Sequence, residues 1–410
     1  MNRVVITGMG IISPVGNDID TYWESLKNGK CGIAPLTRFE NPDIPVRVAA
    51  EVKDFDPMKY YETKTDVRHA DLTMQYAVAA AEEAVSSSGI SGNVDPARFG
   101  VYIGSGIGGM TTFLEEHNNL LNRGPGRVSP YFIPKLIANM PTGVVSIRHG
   151  AKGPTLPIVT ACATSTNTIG EAFHAIRYGY ADVIIAGGTE ASINELGVAG
   201  FVNCKALSLA EDPNAASLPF DKRRGGFVMG EGAAIVILEE YEHAKARNAK
   251  ILAEVAGYGN TADAYHMTAP APDGEGAIRA IRLAVEEAEL KTAPEKIYFN
   301  AHGTGTHMND LMETQAVKAV FKEDAYKLHV SSTKSMTAHM LGATGAAEAI
   351  AGVLAMNANI VPPTINLLEP DEELDLDYTP NKAVETLIEA VISTSLGFGG
   401  HNGCIVLKKI

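Results

Sequence analysis

The chain reads as an α/β protein made of two related halves, and three observations predict this. Short β-branched runs alternate with helical patterns over the whole length. One order of elements, a buried strand, a turn of small residues and a helix, occurs twice, in "PIVTACATSTNTIGEAFHAIRYGYADVIIAGG" and in "HVSSTKSMTAHMLGATGAAEAIAGVLAMNANI". No low-complexity linker separates the copies, so the halves, 1–250 and 251–410, are expected to share one core.

The elements follow in order. "RVVIT" (3–7), "FGVYIGSG" (99–106), "TLPIVTA" (155–161) and "ADVIIAGG" (181–188) are predicted strands of the first half. Helices are predicted over 71–89, which ends in Ser and Gly, and over 165–179. "GGFVMGEGAAIVILEEYEHAKARN" gives a strand and a polar helix. The second half begins with "KILAEVAGYGN". A helix follows over 275–290, where Ile278, Ile281, Ala284, Val285 and Ala288 share one face. Then come "KIYFNAHG", "LHVSST", the helix "GAAEAIAGVLAM" and the closing strand pair "AVISTSLGFGGHNGCIVLKKI".

Composition narrows the function. Hydrophobic residues are 45% and charged residues 20%, enough for a large core. A net charge of -14 argues against nucleic-acid binding and against a basic membrane-surface protein. The first residues do not read as a signal peptide, and no stretch approaches the roughly 18 apolar residues of a membrane span. Cys31, Cys162, Cys204 and Cys404 are scattered without a CxxC pair, so neither a disulfide framework nor a zinc site is expected. A reducing cytoplasm is the expected compartment.

Two motifs mislead. "GSGIGG" (104–109) fits a dinucleotide fingerprint and "GMGIIS" (8–13) nearly does. Neither leads to a second strand with an acidic residue at the required distance. Tight turns explain the glycines. His302 and His307 are five apart and lack the adjacent Glu of a helical zinc pair.

Cys162 carries the chemistry. A cysteine at a strand-to-helix elbow meets a positive helix end, which favours thiolate, and its own N–H can face a substrate oxyanion. His302 follows a strand and opens "HGTGT". His339 lies between the second elbow and its helix, five residues after Lys334. A duplicated fold is expected to bring the two elbows together.

"TACATSTNTIG", "PFDKRRGGFVMGEGAA", "NAHGTGTHMNDLMET", "SSTKSMTAHMLGATGAAEA" and "SLGFGGHNG", in that order, resemble the elongating β-ketoacyl-acyl-carrier-protein synthases, closest to type II. The resemblance implies a thiolase-like fold of five layers, αβαβα, working as a homodimer. It implies a decarboxylative condensation of malonyl-carrier protein with an acyl chain held on Cys162. His302 and His339 are then catalytic with Lys334 in support, and the N–H groups of Cys162 and Phe398 hold an oxyanion, Phe398 also acting as a gate. Ile107 and Phe201 are implied for the acyl pocket, and Thr304 and Thr306 for pantetheine. Lys64, Arg68 and Lys205 are implied for docking acyl carrier protein. No cofactor is implied beyond a monovalent cation held by Asn300, Glu348 and Ser393. The alternative is another thiolase-superfamily acyltransferase acting on coenzyme A or polyketide thioesters. Two departures stand out: Ala338 replaces a usual Gly before the second histidine, and His307 stands where Pro is commoner.

Overall fold

The computed structural model describes residues 1–410. Nine strands join in one sheet: β1 (Val4–Ile12), β2 (Phe99–Gly104), β3 (Val183–Glu190), β4 (Gly232–Glu240), β5 (Ala253–Ala262), β6 (Ile297–Asn300), β7 (His329–Ser331), β8 (Ala390–Gly397) and β9 (His401–Lys408). Across the sheet they run β2-β3-β4-β1-β5-β9-β8-β6-β7.

This order is a near palindrome about the short antiparallel pairing of β1 with β5 at Val4 and Val255. Going outward on either side, the pairings are antiparallel, antiparallel and parallel. The outermost pairing is parallel again, a full strand in the second half and a single bridge from Val101 to Thr155 in the first. The duplication read from the sequence is thus a duplication of strand order.

Six helices complete the layers. On one outer face lie α1 (Leu72–Ser88) and α2 (Met140–His149). At the centre lie α3 (Thr164–Arg177) and α6 (Thr344–Ala358), which touch each other and strands of both halves. On the far face lie α4 (Glu275–Glu287) and α5 (His307–Phe321). The five layers expected are present.

Local chemistry explains the element limits. Asp71 caps α1 by accepting the Thr73 N–H, and Gly89 ends it at φ 63°. Strand β1 runs on through Gly8 and Gly10, farther than the apolar run suggests. A Cβ at Gly8 would lie 2.2 Å from the Ala84 carbonyl oxygen, and one at Gly10 2.1 Å from that of Ala80. The glycines let α1 press onto the strand.

Two expectations are corrected. Residues 155–161 form no strand: Pro154 and Pro157 lack N–H donors, so only Val101 is bridged and the segment stays at the sheet edge. One stretch, Leu341–Ala358, is long and apolar enough to cross a membrane by composition. Its apolar character has another cause, because it is buried between the two sheet halves.

Candidate active site

The two elbows have the same backbone. Before α3, Ala161 has φ 51° and Ala161–Ala163 forms a 3₁₀ turn. Before α6, Leu341 has φ 48° and Leu341–Ala343 forms the same turn. Cys162 in the first turn corresponds to Gly342 in the second. The elbows touch. A Cβ at Gly345 would lie 2.0 Å from Thr166 Oγ1, and the Ala346 N–H donates to Ser165 Oγ at 2.9 Å.

A cavity of about 370 Å³ opens beside them. Cys162, His302 and His339 line it together, with Thr304, Thr306, Phe398 and Lys205. The imidazoles of His302 and His339 meet edge to face, centroids 5.3 Å apart. Thr304 and Thr306 join their hydroxyls at 3.1 Å.

The thiol is partly open to the cavity and otherwise walled by protein. Burial pushes its pKa up to about 12. The Lys334 ammonium opposes this, Glu190 adds to it, and the N–H groups of Phe398 and Cys162 itself oppose it again. Burial and the helix end therefore act on the sulfur in opposite directions. The same two N–H groups that face the sulfur are the pair implied for the oxyanion.

Both imidazoles are neutral. Burial lowers the pKa of each well below the ordinary histidine value, and the Lys334 charge lowers it further. For His302 the neighbouring His339 adds to the effect. His339 Nδ1 accepts the Leu341 N–H at 3.3 Å and pairs with Thr344 Oγ1 at 3.0 Å. A donor into Nδ1 places the ring proton on Nε2, which has no protein partner. Phe227 braces the ring at 5.1 Å, edge to face.

The backbone beneath is held by carboxylates that the sequence reading did not single out. Glu313 accepts the N–H groups of His302 at 2.7 Å and Gly303 at 2.8 Å, and the Thr394 hydroxyl at 2.6 Å. Glu190 accepts the N–H groups of Gly106 at 2.8 Å and Gly342 at 3.1 Å, tying the first half to the second elbow. Ile107 also donates to it, so the "GSGIGG" turn already has its anion. Burial raises the pKa of both acids.

Lys334 is buried and donates to Glu348 Oε1 at 2.5 Å. Burial raises the Glu348 pKa to about 7 against the pull of Lys334. Ala338 sits at φ 54°, ψ -168°, a region that glycine favours, immediately before His339. Glu348 Oε2, Asn300 Oδ1 and Ser393 Oγ are buried without partners. Asn300 and Ser393 are register neighbours in β6 and β8. Three unpartnered oxygens, one of them from a carboxylate, suit the donor set of a hard cation.

The remaining residues implied by resemblance are scattered. Ile107 is 38% exposed on the surface and does not line the cavity, although Ser105, Gly108 and Gly109 of the same turn are buried. Phe201 stands behind the wall, 6.2 Å from Phe398 and 5.5 Å from Phe227. Lys205 is exposed at the mouth, whereas Lys64 and Arg68 are exposed on the short helix Lys64–Arg68 away from the lining.

Two backbone hydrogen bonds tie the glycines after Phe398 to the neighbouring segment. The Gly399 N–H donates to the Met267 carbonyl at 2.7 Å and the Asp263 N–H to the Gly400 carbonyl at 2.9 Å.

Comparison with known proteins gives consistent matches. The beta-ketoacyl synthase N-terminal domain matches residues 1–244 and its C-terminal domain residues 252–368. A 3-oxoacyl-[acyl-carrier-protein] synthase 2 of Coxiella burnetii is 50% identical over 411 residues, covering 100% of this chain and 99% of its own. A crystal structure of a beta-ketoacyl synthase from Burkholderia phymatum superposes with TM-score 0.91 at 35% identity, each chain fully covered. A type II polyketide ketosynthase, solved in complex with its acyl-carrier protein, superposes with TM-score 0.92 at 33% identity, again over both full chains.

Proposed function

The chain belongs to the beta-ketoacyl synthase family, and from that premise we propose how its own residues carry out the condensation. It is a condensing enzyme of type II fatty-acid synthesis, an acyltransferase. The observation that carries the assignment of roles is the single cavity lined by Cys162, His302 and His339.

In the first stage Cys162 Sγ attacks an acyl thioester on carrier protein. A new Cys162–acyl bond forms, the carrier thiol leaves, and the Cys162 proton passes to it. The tetrahedral oxygen is held by the N–H groups of Cys162 and Phe398, donors fixed in place before the reaction. In the second stage malonyl-carrier protein binds in the vacated cavity. Its carboxylate leaves as carbon dioxide, and the electron pair stays on the adjacent carbon as an enolate. His339 Nε2–H donates to that enolate oxygen, with His302 beside it. Neutral imidazoles suit this role because they donate without protonating the carbanion. The carbanion attacks the Cys162-bound carbonyl, a carbon–carbon bond forms, and the sulfur leaves and takes up a proton. The product is 3-oxoacyl-carrier protein.

Lys334 and Glu348 support the site from below, Lys334 tuning both imidazoles by its charge. Asn300, Glu348 and Ser393 would hold a monovalent cation, which would supply local charge balance beneath α6. Thr304 and Thr306 would bond the pantetheine amides. Lys205 at the mouth, with Lys64 and Arg68, would receive the acidic carrier protein. The polyketide relative solved with its carrier protein supports that partner.

A second copy of the chain is the other proposed partner. Exposed apolar side chains gather between residues 107 and 159, among them Leu121, Ile133, Ile147, Leu156 and Val159, with Ile147 at 80% exposure. Leu156 and Val159 belong to the edge segment 155–161, and an exposed apolar edge favours association. Ile107 lies in the same region, so a second copy would cover it and close the acyl pocket.

The test is mass spectrometry of the intact protein after incubation with acyl-carrier protein. The expected result is one acyl adduct on the peptide containing Cys162, absent from Cys162→Ala. An adduct that persists in Cys162→Ala would refute the nucleophile.

A further inference from the structure

Behind the catalytic cavity lies a second, smaller void, and Phe227 lines both. Leu36, Val46, Ala49, Val198 and Leu207 are among its other walls, and of ten lining residues nine are hydrophobic. It holds about 10 Å³, close to one water-sized sphere. A void with so few polar partners stays dry and suits a methyl or methylene group.

Its position gives it meaning. The walls belong to the apolar cluster of Ile193, Val198, Leu207 and Phe227 against which Cys162 itself packs. Interiors close most gaps of this size, because unfilled walls forfeit dispersion contacts. Here the gap lies behind Phe227, the residue it shares with the wall of the reaction space. That ring meets Phe201 at 5.5 Å and His339 at 5.1 Å on its aromatic contacts and borders the void elsewhere.

Building on the reading that Cys162 carries an acyl group, we infer that this void is an alkyl subsite. A turn of the Phe227 ring joins it to the catalytic cavity, and it takes one carbon of the acyl chain, a methyl branch or a terminal methyl. The ligand class is a saturated hydrocarbon segment without polar atoms, since no wall side chain except that of Ser208 offers a hydrogen bond.

The test uses two substitutions outside the catalytic cavity. Ala49→Val fills the void, and Val198→Ala enlarges it. Each variant is assayed for kcat/KM over a ladder of straight and methyl-branched acyl-carrier-protein thioesters, with the Cys162 adduct read by mass. Each carbon accommodated corresponds to about fourfold in kcat/KM. Ala49→Val is expected to lower the preference for long or branched chains over short ones by about fourfold, and Val198→Ala to raise it. Profiles that stay parallel to wild type in both variants overturn the inference, whatever happens to stability. If Ala49→Val does not fold, Val198→Ala decides alone. A wild-type protein that forms no Cys162 adduct overturns the premise and the subsite together, which separates that failure from an unmoved profile.

Discussion

The substitution Gly397→Ala tests the oxyanion geometry directly. Gly397 ends β8 and leads to Phe398. A Cβ built there would lie 2.8 Å from the Thr160 carbonyl oxygen, 3.2 Å from the Cys162 nitrogen and 3.3 Å from the Ala163 nitrogen. All three are backbone atoms of the nucleophile's own turn. A carbon resting against a carbonyl oxygen needs about 3.3 Å or more, so the chain must retreat by about 0.5 Å. The added methyl also stands beside the Cys162 N–H, one of the two proposed donors, while the retreat displaces the other, on Phe398. Loss of one such donor costs on the order of 10²–10³ in rate. The assay follows two reactions separately, acylation of Cys162 by mass and release of carbon dioxide from malonyl-carrier protein by the unacylated enzyme. Acylation should fall by that factor. Carbon dioxide release, which relies on the imidazoles, should change little. Gly143→Ala serves as control, because a methyl there meets nothing within 4 Å. Acylation within about threefold of wild type, in a folded Gly397→Ala protein, would refute the placement of the oxyanion.

Three further outcomes are expected. His339→Ala should spare acylation and depress condensation by about 10²–10³; equal loss in both stages, measured in single turnovers, would remove His339 from the enolate. Ala338→Gly releases backbone strain of about 1–3 kcal/mol and loses a methyl and unfolded-state restriction together worth about 1–2 kcal/mol, so its Tm should stay near or above that of wild type, and a loss of several degrees would show the strained reading to be wrong. Lys334→Ala leaves Glu348 buried without its partner and should cost about 3–5 kcal/mol. Its sign with pH follows from the carboxyl, which titrates near 7 in the native protein and at an ordinary acidic value when unfolded. Without the ammonium the Glu348 proton is held to still higher pH, so the deficit should widen as pH rises above about 7. Denaturant titrations at two pH values that show a constant deficit would contradict that linkage.

Much of this site was legible because its residue types are unusual where they stand. Cys162 is a sulfur in a turn of small residues, and His302 follows a strand and precedes glycines. The second elbow was recognisable as a copy of the first, and its contact with the first is what a pseudo-two-fold arrangement requires. Glu190 and Glu313 escaped notice because an acid in a linear sequence looks like a solvated charge. Only the fold shows their carboxylates beneath backbone N–H groups. The edge segment 155–161 was read as a strand because its apolar pattern is that of one, while Pro154 and Pro157 withhold the donors. Ile107 matched a pocket position by motif, but its place depends on what covers the surface it occupies, which no spacing rule records. The burial that opposes the helix end at the thiol is hidden for a similar reason, since the helix end is visible in the sequence and the surrounding packing is not.

The twin turns have one more consequence. The same backbone bend is built twice, yet one copy presents sulfur at its tip and the other presents only a hydrogen, Gly342, and offers an imidazole from the preceding residues instead. Duplication therefore gave two scaffolds that have since divided the labour, and neither segment on its own holds a complete set of reacting groups. A protein severed near residue 250 should regain turnover only when both fragments are present together, as a single reassembled body.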